Sequence, residues 1–149
     1  MKKKILCMIP GRDLDVEVAL KIMGFIWLKH LLQFSAELAV KWLGTPADIE
    51  QSGGVYTALT KESEMVSLKL RENFDEAVPN YSTQIDAAQQ VLTFMETQGY
   101  AYSYERKTEQ GKDLYYGIFV KAGNESDAIA VGYQSEAEAI VKAAVMALL

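Results

Sequence analysis

The sequence has little of the side-chain chemistry that most metal and thiol sites need. Its 149 residues include one cysteine, Cys7, and one histidine, His30. These two cannot supply the clustered sulfur and nitrogen ligands of a zinc site, and a lone cysteine cannot form a disulfide within the chain. Because Cys7 stands in an apolar stretch, we expect it to be a buried, unreactive thiol. We therefore predict no bound metal and no cofactor, in a protein suited to a reducing cytoplasm.

Long apolar runs and phosphate-binding loops are also missing. The apolar run Ile5–Ile9 is short, ends at Pro10 and Gly11, and lacks the small-residue cleavage site of a signal peptide. No stretch reaches the length of a membrane span, and neither GxxxxGK[ST] nor GxGxxG occurs. We therefore expect a protein of the cytoplasm that has no membrane partner.

Catalysis has two remaining routes in the sequence. One is a nucleophilic pair of Cys7 and His30, and the other is acid/base chemistry by the carboxylates of Asp13 and Glu17, which are neighbours at i, i+4. The helix dipole explains Asp13 and Asp15 at the start of the first helix more simply, because it favours negative charge there. Our expectation is a protein that is not an enzyme.

The charge is mildly acidic and unevenly distributed. The net charge of the chain is −5, with +3 in residues 1–44 and −8 in the remainder. A net acidic chain is a poor candidate for gripping a phosphate backbone, so we expect no nucleic-acid polymer as partner. The basic first third could attract a small anion, or it could be an ordinary solvated surface.

Half of the residues are hydrophobic, which predicts one domain with a full core over residues 1–149. Three helices are indicated by apolar residues at helical spacing and by end signals. The first carries Leu14, Val18 and Ile22 and stops at Gly24; the second is capped by Ser82 or Thr83, carries Ile85, Ala88, Val91, Leu92 and Met95, and ends at Gly99; the third opens with the capping box Ser135 and Glu138.

Three alternating segments between the last two helices predict an antiparallel meander: YAYSYERK, LYYGIFVK and DAIAVGY. One face of this sheet is large and aromatic and the other partly small, with Ala130 and Gly132 in the third strand. Because both faces are largely apolar, both should be covered. The sequence therefore predicts an α/β protein of the α+β type, a three-layer α-β-α sandwich around an antiparallel meander.

Residues 25–77 read as a less regular, variable insert. FIWLKH, AVKWLG, VYTALT and VSLKLRENF are candidate strands, and TPADIEQSGG is a loop or a short helix. Trp27, Trp42 and Tyr56 in this insert could stack on a planar ligand, although aromatic side chains more often pack in a core.

The segment before the second helix is the main candidate for a binding site. Asn80, Tyr81, Ser82 and Thr83 place an aromatic ring and two hydroxyls beside helix N–H groups, which suits an anion or a carbonyl. The competing explanation is a well-formed helix cap and nothing more. We add Arg12 to the candidate site because it is the only arginine of the basic third and stands at the start of the first helix.

Two motifs in these regions resemble the phage α-β-α sandwich domain family, small proteins of phages and prophages of Gram-positive bacteria. Its P-G-R-E-L-D segment is similar to Pro10–Asp15, and its P-x-Y-S-T-D-I segment is similar to Pro79–Ile85, with Gln84 in place of an acid. The closing AIAVGYQSEAEAIVKAAVMALL adds to the likeness. The resemblance implies a three-layer fold, a phage origin in the cytoplasm of a bacterial host, and no known catalytic activity.

Two functions are compatible with these observations. The first is a phage-encoded, non-enzymatic binding protein that sequesters a small anionic nucleotide-type host immune signal and so counters anti-phage defence. The alternative is an interaction module that docks on a host or phage protein through the 25–77 insert. We also expect a homo-oligomer.

Overall fold

The computed structural model describes residues 2–31, 39–58, 69–70, 78–123, 128–129 and 132–149. The chain divides into two compact units, one made of Met1–Val18 with Asn80–Leu149 and the other of Ala19–Pro79. We call them the terminal unit and the inserted unit. The inserted unit contains the predicted insert at 25–77, while the prediction of a single domain over the whole chain stays a prediction.

Two helices lie near the start of the chain, α1 over Lys2–Leu6 and α2 over Arg12–Lys21. The apolar spacing predicts α2, in which Leu14 and Val18 are fully buried, but it does not predict α1. Gly24 has a φ of +77°, as expected for the glycine that ends the predicted first helix. The expectation of a buried Cys7 is wrong, because this residue is exposed just beyond α1.

The next helix of the terminal unit, which we number α4, spans Ile85–Thr97 and is followed by Gly99 with a φ of +90°. Its buried side chains are Ala87, Ala88, Val91 and Met95. Two details differ from the prediction. Ile85 is 40 % exposed, and the N-cap position is Gln84 rather than Ser82 or Thr83.

The predicted meander is present as β5 over Tyr100–Glu109, β6 over Lys112–Lys121 and β7 over Ala128–Ile129. The strands are antiparallel in the order β5-β6-β7. Gln110 and Gly111 form the two-residue turn between β5 and β6, both with positive φ, which matches the twist of a hairpin. Ala130, the expected marker of the small face, lies outside the described residues.

The last helix, α5 over Glu136–Leu148, is buried without a break from Ala137 to Val145. Ser135 caps it, since its Oγ accepts the Glu138 N–H at 3.2 Å. The second half of the predicted capping box differs, because the Glu138 carboxylate accepts from Lys142 Nζ at 2.8 Å. Helix α5 also lies very close to β6: a Cβ on Gly117 would stand 2.7 Å from the Ala139 carbonyl oxygen.

The described helices α4 and α5 contact each other and the strands β5 and β6, so they lie on one face of the meander. On the opposite face, Ala101 and Ser103 are exposed, and Ile118 and Val120 are half-buried. The prediction of helices combined with antiparallel sheets is therefore confirmed as a mixed α+β class.

The inserted unit contains β1 over Ile26–Leu31, β2 over Ala39–Gly44, β3 over Tyr56–Ala58, β4 over Lys69–Leu70 and the short helix α3 over Pro46–Gln51. The sheet order is β3-β1-β2-β4, with β2 and β4 parallel and the other pairs antiparallel. All four candidate strands are represented, and TPADIEQSGG holds a short helix. Most of VSLKLRENF lies outside the described residues.

Candidate functional site

The two motifs that the sequence singles out meet in the terminal unit. Gly11 and Arg12 stand at the start of α2, and Asn80 and Ser82 stand in the turn that precedes α4. Side-chain contacts join the two segments across about seventy residues of sequence. We call this group of Gly11, Arg12, Asp15, Asn80 and Ser82 the Asp15 cluster.

Asp15 is the centre of the cluster, and it is fully buried. Its Oδ1 accepts from the backbone N–H of Ser82 at 2.7 Å and from the Ser82 hydroxyl at 2.7 Å, while its Oδ2 accepts from Arg12 Nη1 at 3.0 Å. A buried carboxylate needs such charge-assisted partners, because an unpaired charge in the interior is costly. Asp15 therefore holds the start of α2 against the turn before α4.

Ser82 is also fully buried and bonds in both directions. Its Oγ accepts the Gly11 N–H at 2.9 Å and lies 2.7 Å from Asp15 Oδ1 and 3.2 Å from the Gly11 carbonyl oxygen. A hydroxyl has one proton, and the shorter contact with a carboxylate is the stronger hydrogen bond. The Ser82 hydroxyl thus links two segments instead of capping α4, which explains why the predicted cap is wrong.

Arg12 occupies the outer side of the cluster, with 35 % of its side chain exposed. Its Nη1 donates to Asp15 Oδ2 at 3.0 Å and to Asn80 Oδ1 at 2.6 Å. Since Nη1 carries two hydrogens, these two acceptors use both of them. The guanidinium is therefore held in one orientation at the surface.

Tyr81 faces the interior and is only 1 % exposed. Burial, together with the nearby negative charge of Asp15, raises the pKa of its phenol to about 12, so the ring stays neutral at physiological pH. The hypothesis that Tyr81 itself touches a ligand is not supported by this position. Thr83, two residues later, is exposed, and its N–H donates to the Asn80 carbonyl at 3.3 Å.

The aromatic candidates of the insert lie in the inserted unit. Trp27 on β1 and Tyr56 on β3 are half-buried, and Trp42 is on β2, where its side chain lies outside the description. Position 27 pairs with Leu43 and position 42 with Leu28, while Tyr56 pairs with His30. Because paired positions share a face and successive positions alternate, Trp27 belongs to one face of the sheet and Tyr56 to the other.

Sequence reasoning missed the role of Asp15, which it assigned to the helix dipole. A local signal was present, because Asp15 follows Arg12 by three residues on a helix, where side chains are neighbours. Ser82, the partner of Asp15 in the turn before α4, has no local signal in the sequence. The resemblance alone connects the two residues, because one of its motifs contains Asp15 and the other contains Ser82. Since donors occupy both carboxylate oxygens and none of Asp15 is exposed, this acid is not available to take a proton from a bound molecule.

Two further features bear on the kind of site. Among the residues that the structure describes, no group of three or more His, Cys, Asp or Glu side chains is arranged to hold a metal ion. Within the same part of the chain, none of the helices has the length and apolar character needed to cross a bilayer.

Comparison of the chain with protein-family models, with curated proteins and with solved structures finds no match. The contacts of the Asp15 cluster and the residues around it are therefore the features that bear on function.

Proposed function

We propose that this chain is a phage-encoded binding protein that captures a small anionic nucleotide-like molecule of host immune signalling and does not turn it over. The observation that carries the proposal is Arg12, a partly exposed guanidinium fixed by Asp15 and Asn80. A guanidinium that is already oriented loses less side-chain entropy when it binds an anion. Phosphate is its natural partner, because its oxygens match the planar donors.

The Asp15 cluster divides the candidate residues into two groups. Tyr81 and Ser82 are buried and act as the framework that fixes the surface groups. Arg12 and Asn80 are partly exposed and Thr83 is exposed, so a guanidinium, an amide and a hydroxyl stand at the surface of the same turn. In this proposal these three contact the ligand, with the guanidinium binding its phosphate.

The phage origin, the cytoplasm of a bacterial host and the homo-oligomer belong to the same proposal. The phage origin and the bacterial host are supported by the resemblance of the two motifs that form the Asp15 cluster. We also propose the three-layer sandwich. Its support is the half-buried apolar pair Ile118 and Val120 on the face of the meander opposite α4 and α5, which a further layer would cover.

A thermal screen followed by calorimetry tests the capture of a nucleotide. ATP, cyclic AMP, cyclic di-AMP and ADP-ribose serve as probes, and a probe at a hundred times its Kd should stabilise the protein by about 2.7 kcal/mol. Arg12→Ala should then weaken binding of the selected probe by about 10- to 100-fold, because a hydrogen bond to a charged partner contributes roughly 1.5–3 kcal/mol.

The matched control is Lys21→Ala, which removes the same charge from the exposed last residue of the same helix. It should leave the affinity nearly unchanged. Arg12→Ala also removes the cation that pairs with the buried Asp15, so it should lower the melting temperature. The affinities are therefore compared at a temperature at which circular dichroism shows each unliganded variant to be folded. Equal affinity in Arg12→Ala and in the unmodified protein would refute the Arg12 site, and a screen with no stabilising probe would refute capture of these nucleotides.

The alternative, docking on another protein through the insert, is favoured by one observation. Val55 is 46 % exposed beside β3, whose Thr57 and Ala58 are also exposed. Hydrogen exchange separates the two proposals. Ligand capture should slow exchange near residues 11–15 and 80–83, whereas docking of a protein partner should slow it near residues 55–58.

A further inference from the structure

Strand β5 is a long, exposed strand at the edge of the meander. It runs ten residues, Tyr100–Glu109, and pairs on one side with β6 over its whole length. In the described part of the chain no strand pairs with its other side. Apart from Tyr100 and Tyr102, which are half-buried, all of its residues are exposed.

The hairpin geometry shows which backbone groups point outward. In a hairpin closed by two residues, Glu109 and Lys112 exchange both backbone hydrogen bonds, and every second pair back along the ladder does the same. The hydrogen bond from the Ala122 N–H to the Gly99 carbonyl, 3.2 Å long, belongs to the same alternating set, because Gly99 lies an even number of residues before Glu109. The N–H and C=O groups of Tyr102, Tyr104 and Arg106 therefore point away from β6.

The edge carries few of the features that normally prevent pairing. Its register with β6 is continuous, without a bulge, and it contains no proline and no glycine. Its charged residues are confined to the half from Glu105 to Glu109, and the half from Tyr100 to Tyr104 has none. A long, regular edge of this kind is a template for another strand.

We propose that a second copy of this chain pairs along β5, antiparallel, with a two-fold axis at Tyr104. The two meanders would then form one continuous sheet. This inference gives the homo-oligomer of the proposed function a specific interface. It does not depend on the proposed ligand, because it concerns β5 and not the Asp15 cluster.

The sequence of β5 is self-complementary in this register. Tyr104 lies opposite Tyr104 of the second copy, and Tyr102 lies opposite its Arg106, which gives an aromatic pair and two cation–π pairs. Within each copy, Arg106 pairs with Asp113 and its guanidinium carbon lies 5.7 Å from the ring centre of Tyr115, so the charge opposite Tyr102 of the second copy is already positioned by its own chain. Pairings with the two-fold axis at Glu105, Arg106 or Lys107 would place like charges opposite each other. The axis at Tyr104 avoids that repulsion and still pairs most of one β5 strand with the other.

Light scattering coupled to size-exclusion chromatography tests the dimer. The unmodified protein should have twice its chain mass of 16.6 kDa. Tyr104→Lys and Tyr104→Glu should each be monomeric, because each places two like charges together at the axis. An equimolar mixture of the two variants should recover a dimer. Ile129→Lys, a substitution of a 42 % exposed residue on β7, is the control and should remain dimeric.

Hydrogen exchange gives a second, residue-specific readout. The amides of Tyr102, Tyr104 and Arg106 should exchange slowly in the unmodified protein and quickly in Tyr104→Lys. The amides of Ser103, Glu105 and Lys107 point toward β6 and should exchange slowly in both, which shows that the hairpin remains folded. A monomeric unmodified protein at its highest soluble concentration, or a Tyr104→Lys variant that keeps the oligomer, would overturn the proposal.

Discussion

Asp15→Asn should lower the free energy of unfolding by about 3 kcal/mol, close to the cost of removing one partner from a buried ion pair. The amide keeps the shape of the carboxylate but loses its charge, and its NH₂ group would face a donor, either Arg12 or Ser82. Both the ion pair to Arg12 and the two bonds from Ser82 are weakened at once. Urea denaturation followed by circular dichroism measures the change.

The control for this substitution is Asp13→Asn, two residues earlier in the same helix. Asp13 is exposed in the first turn, so its charge acts only on the helix dipole and its loss should cost about 0.3–1 kcal/mol. Equal changes in the free energy of unfolding for the two substitutions would mean that Asp15 also acts only through the helix dipole. The contacts of the cluster would then contribute nothing measurable to stability.

Lys142→Met should destabilise the protein by about 3–5 kcal/mol, because it leaves the Glu138 carboxylate buried without its cation. Lys142 and Glu138 are 3 % and 7 % exposed, and their 2.8 Å contact lies within the buried run of α5. Lys142 Nζ also stands 4.4 Å from the ring centre of Tyr133, so a cation–π contact is lost as well. Thermal and urea denaturation both report the change.

The double variant Glu138→Leu/Lys142→Met tests the reason for that loss. Replacing both charges by apolar groups removes the pair together with the cost of burying it, so this variant should be about as stable as the unmodified protein or more stable. If the double variant loses as much as Lys142→Met alone, packing of the lysine stem, and not an unpaired charge, explains the effect.

The parts of the fold that sequence patterns predict are those governed by local rules. The meander follows from alternating residues and a Gly-containing turn at Gly111, and the ends of α2 and α4 follow from Gly24 and Gly99. These signals act within a few residues, so no knowledge of the tertiary structure is needed. Even the weak alternation of FIWLKH and AVKWLG corresponds to paired strands.

The errors arise where a residue has two possible partners. A serine before a helix can cap it, but the same hydroxyl can also bond a distant carboxylate, and Ser82 does the latter. Glu138 can bond the N-cap backbone, but Lys142 lies one turn away and forms an ion pair with it. Propensity cannot decide between such partners, because the decision depends on which groups the tertiary fold buries.

The candidate site was predictable in its residues but not in their roles. Helix-end chemistry and the resemblance indicate Arg12, Asn80 and Ser82, and the structure places them in one cluster. The sequence makes Tyr81 a candidate ligand contact, but its side chain is buried. No local pattern distinguishes an exposed from a buried ring in a turn. The insert contributes its aromatic residues to another unit, and the sequence could not show this separation.

The direct coupling between the two motifs is the central claim, and a double-mutant cycle on Asp15→Asn and Ser82→Ala measures it. Because the two side chains touch, the free-energy changes should not add, and we expect an interaction energy of about 1–3 kcal/mol in urea denaturation. The same cycle with Asp13→Asn in place of Asp15→Asn should be additive to within about 0.5 kcal/mol. Additive changes for Asp15 and Ser82 would contradict a cluster that joins the start of α2 to the turn before α4.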